Sequence, residues 1–409
     1  MMLIRLVVTV VLFISTNNCS SQHKKESKKV HRVVVNKNKT VITYKDEKVK
    51  TIYNDSIGKA VHRIITKNTN KSIRDTLINA LSIGVYINGV SFTEHYGELD
   101  KGKGNKPTDN TIYEIASVTK TFTGTLVAIA VLEGKLNLEE DIRKYLPKSY
   151  NNLEYNGNPI KIRHLITHTS GLPANSKGFK DIPLGLPQDE QSKLFYEIEK
   201  SQTKEGFFNY LAEVSIDTVP GTSFNYSNVG TNLMGYIIEK AYNTPFQELL
   251  LNKIIKEEVA MKSTKFHLTK SEEIHLANGY NGQDELMPQL PLSNTLWGAE
   301  GGLKSTTLDM LKYISYQIDS KNHIVNESHK KLYEIDTDYW IGYFWWIIEN
   351  QNQDLHYRHD GGALGTRNIL LIYPESNIGI SIITNKATNG VFENLSVLAK
   401  NIYNDLKNK

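Results

Sequence analysis

Ser117 and Lys120 bracket the tetrapeptide Ser117-Val118-Thr119-Lys120, which matches the pattern S-x-x-K. On a helix, positions i and i+3 share a face, so the hydroxyl and the amine can touch. A serine is a weak nucleophile until a neighbouring base removes its proton, and a lysine of depressed pKa can do that. At a helix N-terminus, backbone N–H groups also point at any negative charge that develops. The tetrapeptide alone decides little, because the pattern recurs at Ser21–Lys24, Ser56–Lys59, Ser201–Lys204 and Ser328–Lys331. Those copies lie in polar surroundings, whereas apolar residues follow Ser117. The bland alternative makes Ser117 an N-cap and Lys120 a solvated lysine of the first turn.

Further groups suited to a serine-centred reaction lie downstream. Tyr226-Ser227-Asn228 sits in the turn-rich stretch Pro220 to Gly230. In extended backbone, positions two apart point the same way, so the phenol and the amide would face one site. A tyrosine beside cations ionises more easily and can shuttle a proton, and Asn228 can donate to a substrate carbonyl. Tyr-x-Asn also occurs at Tyr86 and Tyr150, and a turn with Asn228 as N-cap fits equally well. His359-Asp360-Gly361-Gly362 precedes a strand pair. Consecutive glycines beside a strand admit a ligand or another backbone, although a glycine bulge with an exposed histidine would read the same. His164 and His168 are spaced i, i+4. A zincin would need Glu between them at 165, where this chain has Leu165, so they read as structural.

The elements that must hold these residues follow from periodicity. Ser82 to Tyr96 is two apolar runs around Asn88-Gly89, a strong hairpin signal. From Ser117, the residues Val118, Phe122, Val127, Ile129, Ala130 and Leu132 fall mostly on helical spacing, and Gly134 can end that amphipathic helix. Further helices are predicted from about Val229 to Ala241, with Leu233, Met234, Ile237 and Ile238 as the buried stripe, from Thr306 to Ile318, and from Asn394 to Leu406. Ile369 to Tyr373 and Ile378 to Thr384 read as a hairpin, and the aromatic run Tyr343 to Trp346 reads as strand, either core or cleft wall. The order is strands, a long helical middle, strands and a final helix. That predicts an α+β fold: an antiparallel sheet built from both chain ends, with a mostly helical subdomain.

The chain has 409 residues, with 39% hydrophobic and 22% charged, the balance of a globular protein. The charge of +4 is mild, and no basic stripe or motif suggests nucleic acid. No cofactor or metal is implied. Arg5 precedes an apolar stretch, Leu6 to Ile14, too short to span a bilayer as a helix, and Cys19, the sole cysteine, follows. A signal peptide over 1–19 and lipid attachment at Cys19 are expected, although Asn17-Asn18 stand where small residues are usual. The protein would then be exported to the cell envelope, either touching the membrane through a lipid anchor or residing in the periplasm. Residues 20–70, with short strands at Val30–Val35, Lys39–Tyr44 and Lys48–Tyr53 and a lysine cluster at 23–29, read as a poorly packed tether or small accessory segment, and 71–409 as the catalytic domain.

Taken together, the motifs resemble those of the serine β-lactamase and penicillin-binding-protein superfamily: S-x-x-K, a Tyr- or Ser-x-Asn triplet, then Lys-Thr-Gly. The class C-like branch is the nearer likeness, with its β-lactamases, D-Ala-D-Ala carboxypeptidases, D-aminopeptidases and related esterases. Tyr113 to Phe122 resembles its nucleophile segment, Ile162 to Leu172 a marker loop, Pro220 to Asn228 the tyrosine loop and Glu300 to Asp309 a further block, in family order over roughly residues 75–405. The resemblance implies a β-lactamase/transpeptidase-like fold and an acyl-enzyme on Ser117, with Lys120 and Tyr226 sharing the proton work. Asn228, His359 and Gly361 would bind substrate, and the N–H groups of Ser117 and Gly362 would form the oxyanion hole. His359 departs from the family's lysine, which holds a fixed charge for a substrate carboxylate; a histidine is only partly charged at neutral pH. No carboxylate in a recognisable deacylation motif is evident. Substrates in order of expectation are D-amino-acid peptides or amides, small esters and β-lactams. The rival reading is a catalytically idle relative serving as an envelope scaffold. For the N-terminus, Cys19→Ser is expected to abolish palmitate incorporation and release the protein from the membrane fraction; unchanged labelling would refute lipid attachment.

Overall fold

The computed structural model describes residues 30–36, 39–44, 56–72, 78–183, 185–350 and 353–408. Cys19, the signal segment, the 23–29 cluster and the Lys48–Tyr53 strand lie outside them. The chain divides into two units, Met1–Lys59 and Ala60–Lys409, and a helix covers Ser56–Ser72. In the first unit, strands Val30–Asn36 and Lys39–Tyr44 pair antiparallel, as their β-branched residues predict.

The second unit is organised on an eight-stranded antiparallel sheet. Its spatial order is Tyr333–Asp336, Tyr339–Gly342, Trp345–Asn350, Gln353–Gly362, Arg367–Tyr373, Ile378–Thr384, Ala80–Ile87 and Val90–Gly97. The two chain ends meet inside it, with Leu81 opposite Thr384 and Ile87 opposite Ile378. Asn88, at φ +50, and Gly89, at φ +86, make the tight turn between the first two strands. The helix Thr307–Gln317 packs on Ala80–Ile87 and Ile378–Thr384, and the C-terminal helix Val391–Lys407 packs on Arg367–Tyr373 and Ile378–Thr384. Helices between the halves of the sheet carry the rest of the core, including Asn228–Tyr242, whose Leu233, Met234, Ile237 and Ile238 are fully buried.

Three expectations need correction. Residues 60–70 are not a poorly packed tether. Val61, Ile64 and Ile65 are buried, and Lys67 and Asn68 bond Asp405 on the C-terminal helix. The helix after Ser117, Thr119–Leu132, is buried on nearly every side rather than amphipathic. Its threonines bond inward: Thr123 donates to Ala299 O (2.8 Å), Thr125 to Thr121 O (2.9 Å), and Thr121 accepts from Tyr313 (3.0 Å). The aromatic run is not one strand. Tyr343 (φ +51) and Phe344 (φ +68) are the two left-handed residues of a tight turn between Tyr339–Gly342 and Trp345–Asn350. Asparagine and glycine usually fill such turns. Here burial of both rings and a bond from Tyr343 to Glu327 (2.6 Å) offset the strain.

That turn lies against the Thr119–Leu132 helix at Gly124, where a Cβ would sit 1.9 Å from Tyr343 O. Gly124→Ala is therefore expected to lower unfolding stability by at least ~2 kcal/mol through overpacking against rigid backbone. Urea denaturation checks this; an unchanged midpoint would mean the turn yields freely.

Candidate active site

Ser117 lies in a single 3-10 turn, Ala116–Val118, that runs directly into the buried helix. Ala116 is left-handed at φ +45, a conformation that costs a non-glycine residue roughly 1–2 kcal/mol. The turn is clamped from several sides. Asn368 donates to Ile115 O (3.1 Å) and to Gly361 O (3.2 Å), tying the approach to Ser117 onto the Gln353–Gly362 strand. Thr366 bonds Glu114 O (3.2 Å). Gly361 is where these two segments meet: a Cβ there would fall 2.3 Å from Ile115 O. Close approach of backbone to backbone accounts for this glycine.

One helical face joins the turn to the Glu300 block. Thr119 accepts from Leu303 N (3.2 Å), and Lys120 Nζ donates to Glu300 O (2.7 Å). Lys120 has no solvent exposure, and its Nζ lies 3.2 Å from Ser117 Oγ and 4.9 Å from the centre of the Tyr226 ring. The structure thus brings Ser117, Lys120 and Tyr226 together. The competing S-x-x-K copies do not form such a pair where they are described. Ser328 bonds Val325 O and Lys331 pairs with Glu349, while Ser201 is exposed at a helix end.

Tyr226 is held by its neighbours. Ser227, rather than Asn228, caps the following helix, accepting from Gly230 N (2.9 Å) and donating to Pro173 O (2.6 Å). Ser227 N donates to His168 Nδ1 (3.1 Å), and the His168 ring packs 4.4 Å from Tyr226 and 5.2 Å from Phe344. Burial and the charge on Lys120 push His168 well below the ordinary histidine range, so it stays neutral and accepts that bond. His168 lies beyond the short helix Ile162–Ile166, and His164 Nδ1 accepts from Lys161 N (3.1 Å), so the two imidazoles serve separate loops. Asn228 donates one of its two amide N–H groups to Asn175 Oδ1 (2.8 Å), and its Oδ1 has no donor among the described residues.

His359 is buried and bonds Asp360 O through Nδ1 (2.8 Å). Burial, then Lys120, push its pKa down to about 3. It is uncharged at neutral pH and gives a substrate carboxylate no fixed positive partner. It lines a cleft of about 450 Å³ with Tyr226, Trp346 and Arg358, and Arg358 is paired with Asp360 (2.7 Å). The aromatic run is thereby divided: Tyr343, Phe344 and Trp345 are core, and Trp346 is cleft wall.

A smaller cavity, about 50 Å³, adjoins the serine and is lined by Ser117, Asn228 and Gly362 together with Glu199 and Glu300. Sequence reasoning missed both carboxylates. Glu300 lay in a recognised block without a role, and Glu199 comes from the helix Gln188–Ser201, which carries no local signal of chemistry. Burial and the facing Glu300 raise Glu199 to about 8. Glu300 is raised by burial and drawn back by Lys120.

Comparison with known proteins agrees with this architecture. A profile of the Beta-lactamase family matches residues 68–401. The chain belongs to the beta-lactamase family. It is 26% identical over 345 residues to a Beta-lactamase of Providencia stuartii, covering 76% of this chain and 83% of that one. It is 27% identical over 319 residues to Protein flp of Staphylococcus aureus strain N315, covering 75% of this chain but only 60% of that longer relative. Among solved structures, beta-lactamase/D-alanine carboxypeptidases of Yersinia pestis and Pseudomonas syringae superpose with TM-scores of 0.70 at 21% and 22% identity. They cover 86% and 84% of this chain and are themselves covered to 99%. The beta-lactamase/transpeptidase-like α+β fold expected from sequence is thus shown, and with it membership of a serine hydrolase superfamily.

The neutral His359 of this family member has a measurable signature. Its folded pKa lies below the unfolded value near 6.5, so its stabilisation is complete above pH 6.5 and is lost as pH falls toward 3. Replacing it by glutamine removes that sensitivity. Between pH 7 and 5 the stability of His359→Gln relative to wild type should rise by about 2 kcal/mol, measured by urea unfolding. A constant difference would show that folding leaves the His359 pKa unshifted.

Proposed function

We propose that this protein is a serine hydrolase that forms an acyl-enzyme on Ser117, acting on D-amino-acid peptides or amides, small esters or β-lactams, in that order. The observation that carries the reading is the contact of 3.2 Å between the fully buried Lys120 Nζ and the half-buried Ser117 Oγ. Only a lysine in its neutral amine form can accept the Ser117 proton, and the Tyr226 hydroxyl offers a second route for it. Ser117 Oγ then bonds the substrate carbonyl carbon, and the proton is returned to the departing amine or alkoxide. Water next attacks the acyl carbon, its proton goes to the same pair, and Ser117 leaves protonated. The N–H groups of Ser117 and Gly362 are the proposed oxyanion donors, and such a donor is worth about 10²–10³ in turnover.

An uncharged His359 favours donors whose affinity does not depend on a carboxylate at that position, which is why β-lactams rank last. The idle-scaffold alternative has no observation in its favour, since nothing in a scaffold requires a lysine to be buried against a serine hydroxyl. Export to the cell envelope remains part of the proposal through the N-terminal segment; among the described residues no helix is long and apolar enough to cross a membrane.

Fluorophosphonate labelling of the full chain tests the reading. Wild type should acquire one adduct, Ser117→Ala none, and Lys120→Met and Tyr226→Phe should each slow labelling by roughly 10²-fold. If wild type labels no faster than Ser117→Ala with this reagent, a fluorescent penicillin and p-nitrophenyl acetate alike, the enzymatic reading fails.

A further inference from the structure

The cleft that holds Tyr226 and His359 does not end at Arg358. A second cavity, of about 540 Å³, shares Tyr339, Ile348 and Arg358 with it, so the two form one continuous groove. One face of the sheet is its floor. Tyr339 stands opposite Ile348 and Ile348 opposite His356, and two residues along Trp346 stands opposite Arg358; side chains two apart on a strand share a face. The C-terminal helix Val391–Lys407 packs beside this floor and makes the wall. Helix and floor are tied at both ends. Arg358 donates to Ser396 Oγ (2.8 Å) nearest the catalytic cleft, and Lys407 pairs with Asp354 (2.6 Å) at the far end. Between them the Tyr373 and Tyr403 rings stack with centroids 3.5 Å apart.

The charges along this groove do not cancel. Arg358 is matched by Asp360 and Lys407 by Asp354. Lys400, the remaining cation of the second cavity, has no carboxylate partner among the described residues. Its charge reaches inward, where burial, and then Arg358 and Lys400, keep His356 neutral while Nδ1 donates to Asp354 O (2.9 Å). Lys400 lies one helical turn beyond Ser396, about 6 Å further from the catalytic cleft than Arg358. With one strand residue more to His359, the ammonium stands roughly 10 Å from that imidazole. His359 is itself neutral, so the first unmatched charge met along the groove is Lys400.

We propose that this groove holds the departing half of the substrate and that Lys400 binds an acidic group on it about three residues beyond the scissile bond. The preferred leaving group is therefore an extended peptide with a distal carboxylate, not a single residue whose carboxylate sits at His359. The inference rests on the acyl-enzyme reading at Ser117. In that reading Lys120 and Tyr226 return the proton to the departing amine, and Tyr226 lines the groove, which places the departing half there. Three residues of extended chain span about 10 Å, the distance from His359 to Lys400. Bond making and breaking at the carbonyl are unchanged.

The test reads inhibition of p-nitrophenyl acetate hydrolysis by the full-length protein, because a bound peptide blocks Ser117 whether or not it is cleaved. Three C-terminally amidated peptides are compared: N-acetyl-D-alanyl-Gly-Gly-Asp, its Gly-Gly-Asn isostere, and N-acetyl-D-alanyl-Asp-Gly-Gly, whose carboxylate lies beside His359. Wild type is expected to bind the distal aspartate about fivefold more tightly than the asparagine, the upper range for an ion pair that keeps solvent contact. The proximal aspartate should gain nothing over asparagine, and 0.5 M salt should shrink the distal preference. Lys400 is exposed on its helix, and Lys400→Glu should reverse the preference so that the asparagine peptide binds more tightly. A merely structural role would move all three inhibition constants together and leave their ratios intact, and that outcome overturns the proposal. Equal constants for distal aspartate and asparagine in wild type, a tighter proximal aspartate, or no inhibition by any peptide overturn it as well. Silence with p-nitrophenyl acetate and fluorophosphonate would instead refute the nucleophile itself, and the leaving-group site with it.

Discussion

A fully buried lysine side chain governs this architecture. Removing Lys120 from water costs several kcal/mol unless its protons are matched, and the structure supplies two oxygen partners, Glu300 O and Ser117 Oγ, plus the face of Tyr226. Each partner comes from a different part of the chain. The Glu300 carbonyl requires the block after it to lie along the nucleophile helix, which Thr119 and Thr123 secure through Leu303 N and Ala299 O. Tyr226 requires its loop to be pinned, which Ser227 and His168 accomplish. Burial first, and Lys120 after it, keep both neighbouring histidines neutral, and Lys120 draws Glu300 back toward its ionised form.

The nucleophile's position is a second constraint, and backbone rather than side-chain chemistry enforces it. Ala116 holds a left-handed conformation and Asn368 grips the carbonyls on both sides of the junction. Strain of this type persists only where the surroundings over-determine it. Here Gly361 allows the strand to come close enough for Asn368 to reach both carbonyls. The wall opposite Tyr226 and the oxyanion donors proposed at Ser117 and Gly362 are thus set by one short piece of interlocked backbone.

Legibility in the sequence followed the range over which each signal acts. The Asn88-Gly89 hairpin, the Val229–Ala241 stripe and the Ile369–Thr384 strand pair are local patterns, and all were readable to within a few residues. Ser117, Lys120 and Tyr226 were found by motif order, while their meeting depends on tertiary packing. Three features escaped because distant contacts reverse a local preference. The threonines of the nucleophile helix look polar but bond inward. Tyr343-Phe344 looks like strand and is a turn. Ile57 to Ile65 had helical spacing that lysine- and asparagine-rich surroundings masked. Glu199 had no local signal, since its character arises only opposite Glu300.

The pairing of Ala80–Ile87 with Ile378–Thr384 also sets the order in which the molecule can be assembled. The first hairpin emerges early and shows an open edge, a template for unwanted pairing until its neighbour arrives. That neighbour is among the last strands to be made, and contacts so distant in sequence close slowly. Much of the chain between them, including the nucleophile helix, waits on that closure. A ribosome that stops before residue 378 leaves a long intermediate with an unfinished sheet, prone to aggregation rather than to partial activity. The site therefore matures as a consequence of chain completion, all at once and late.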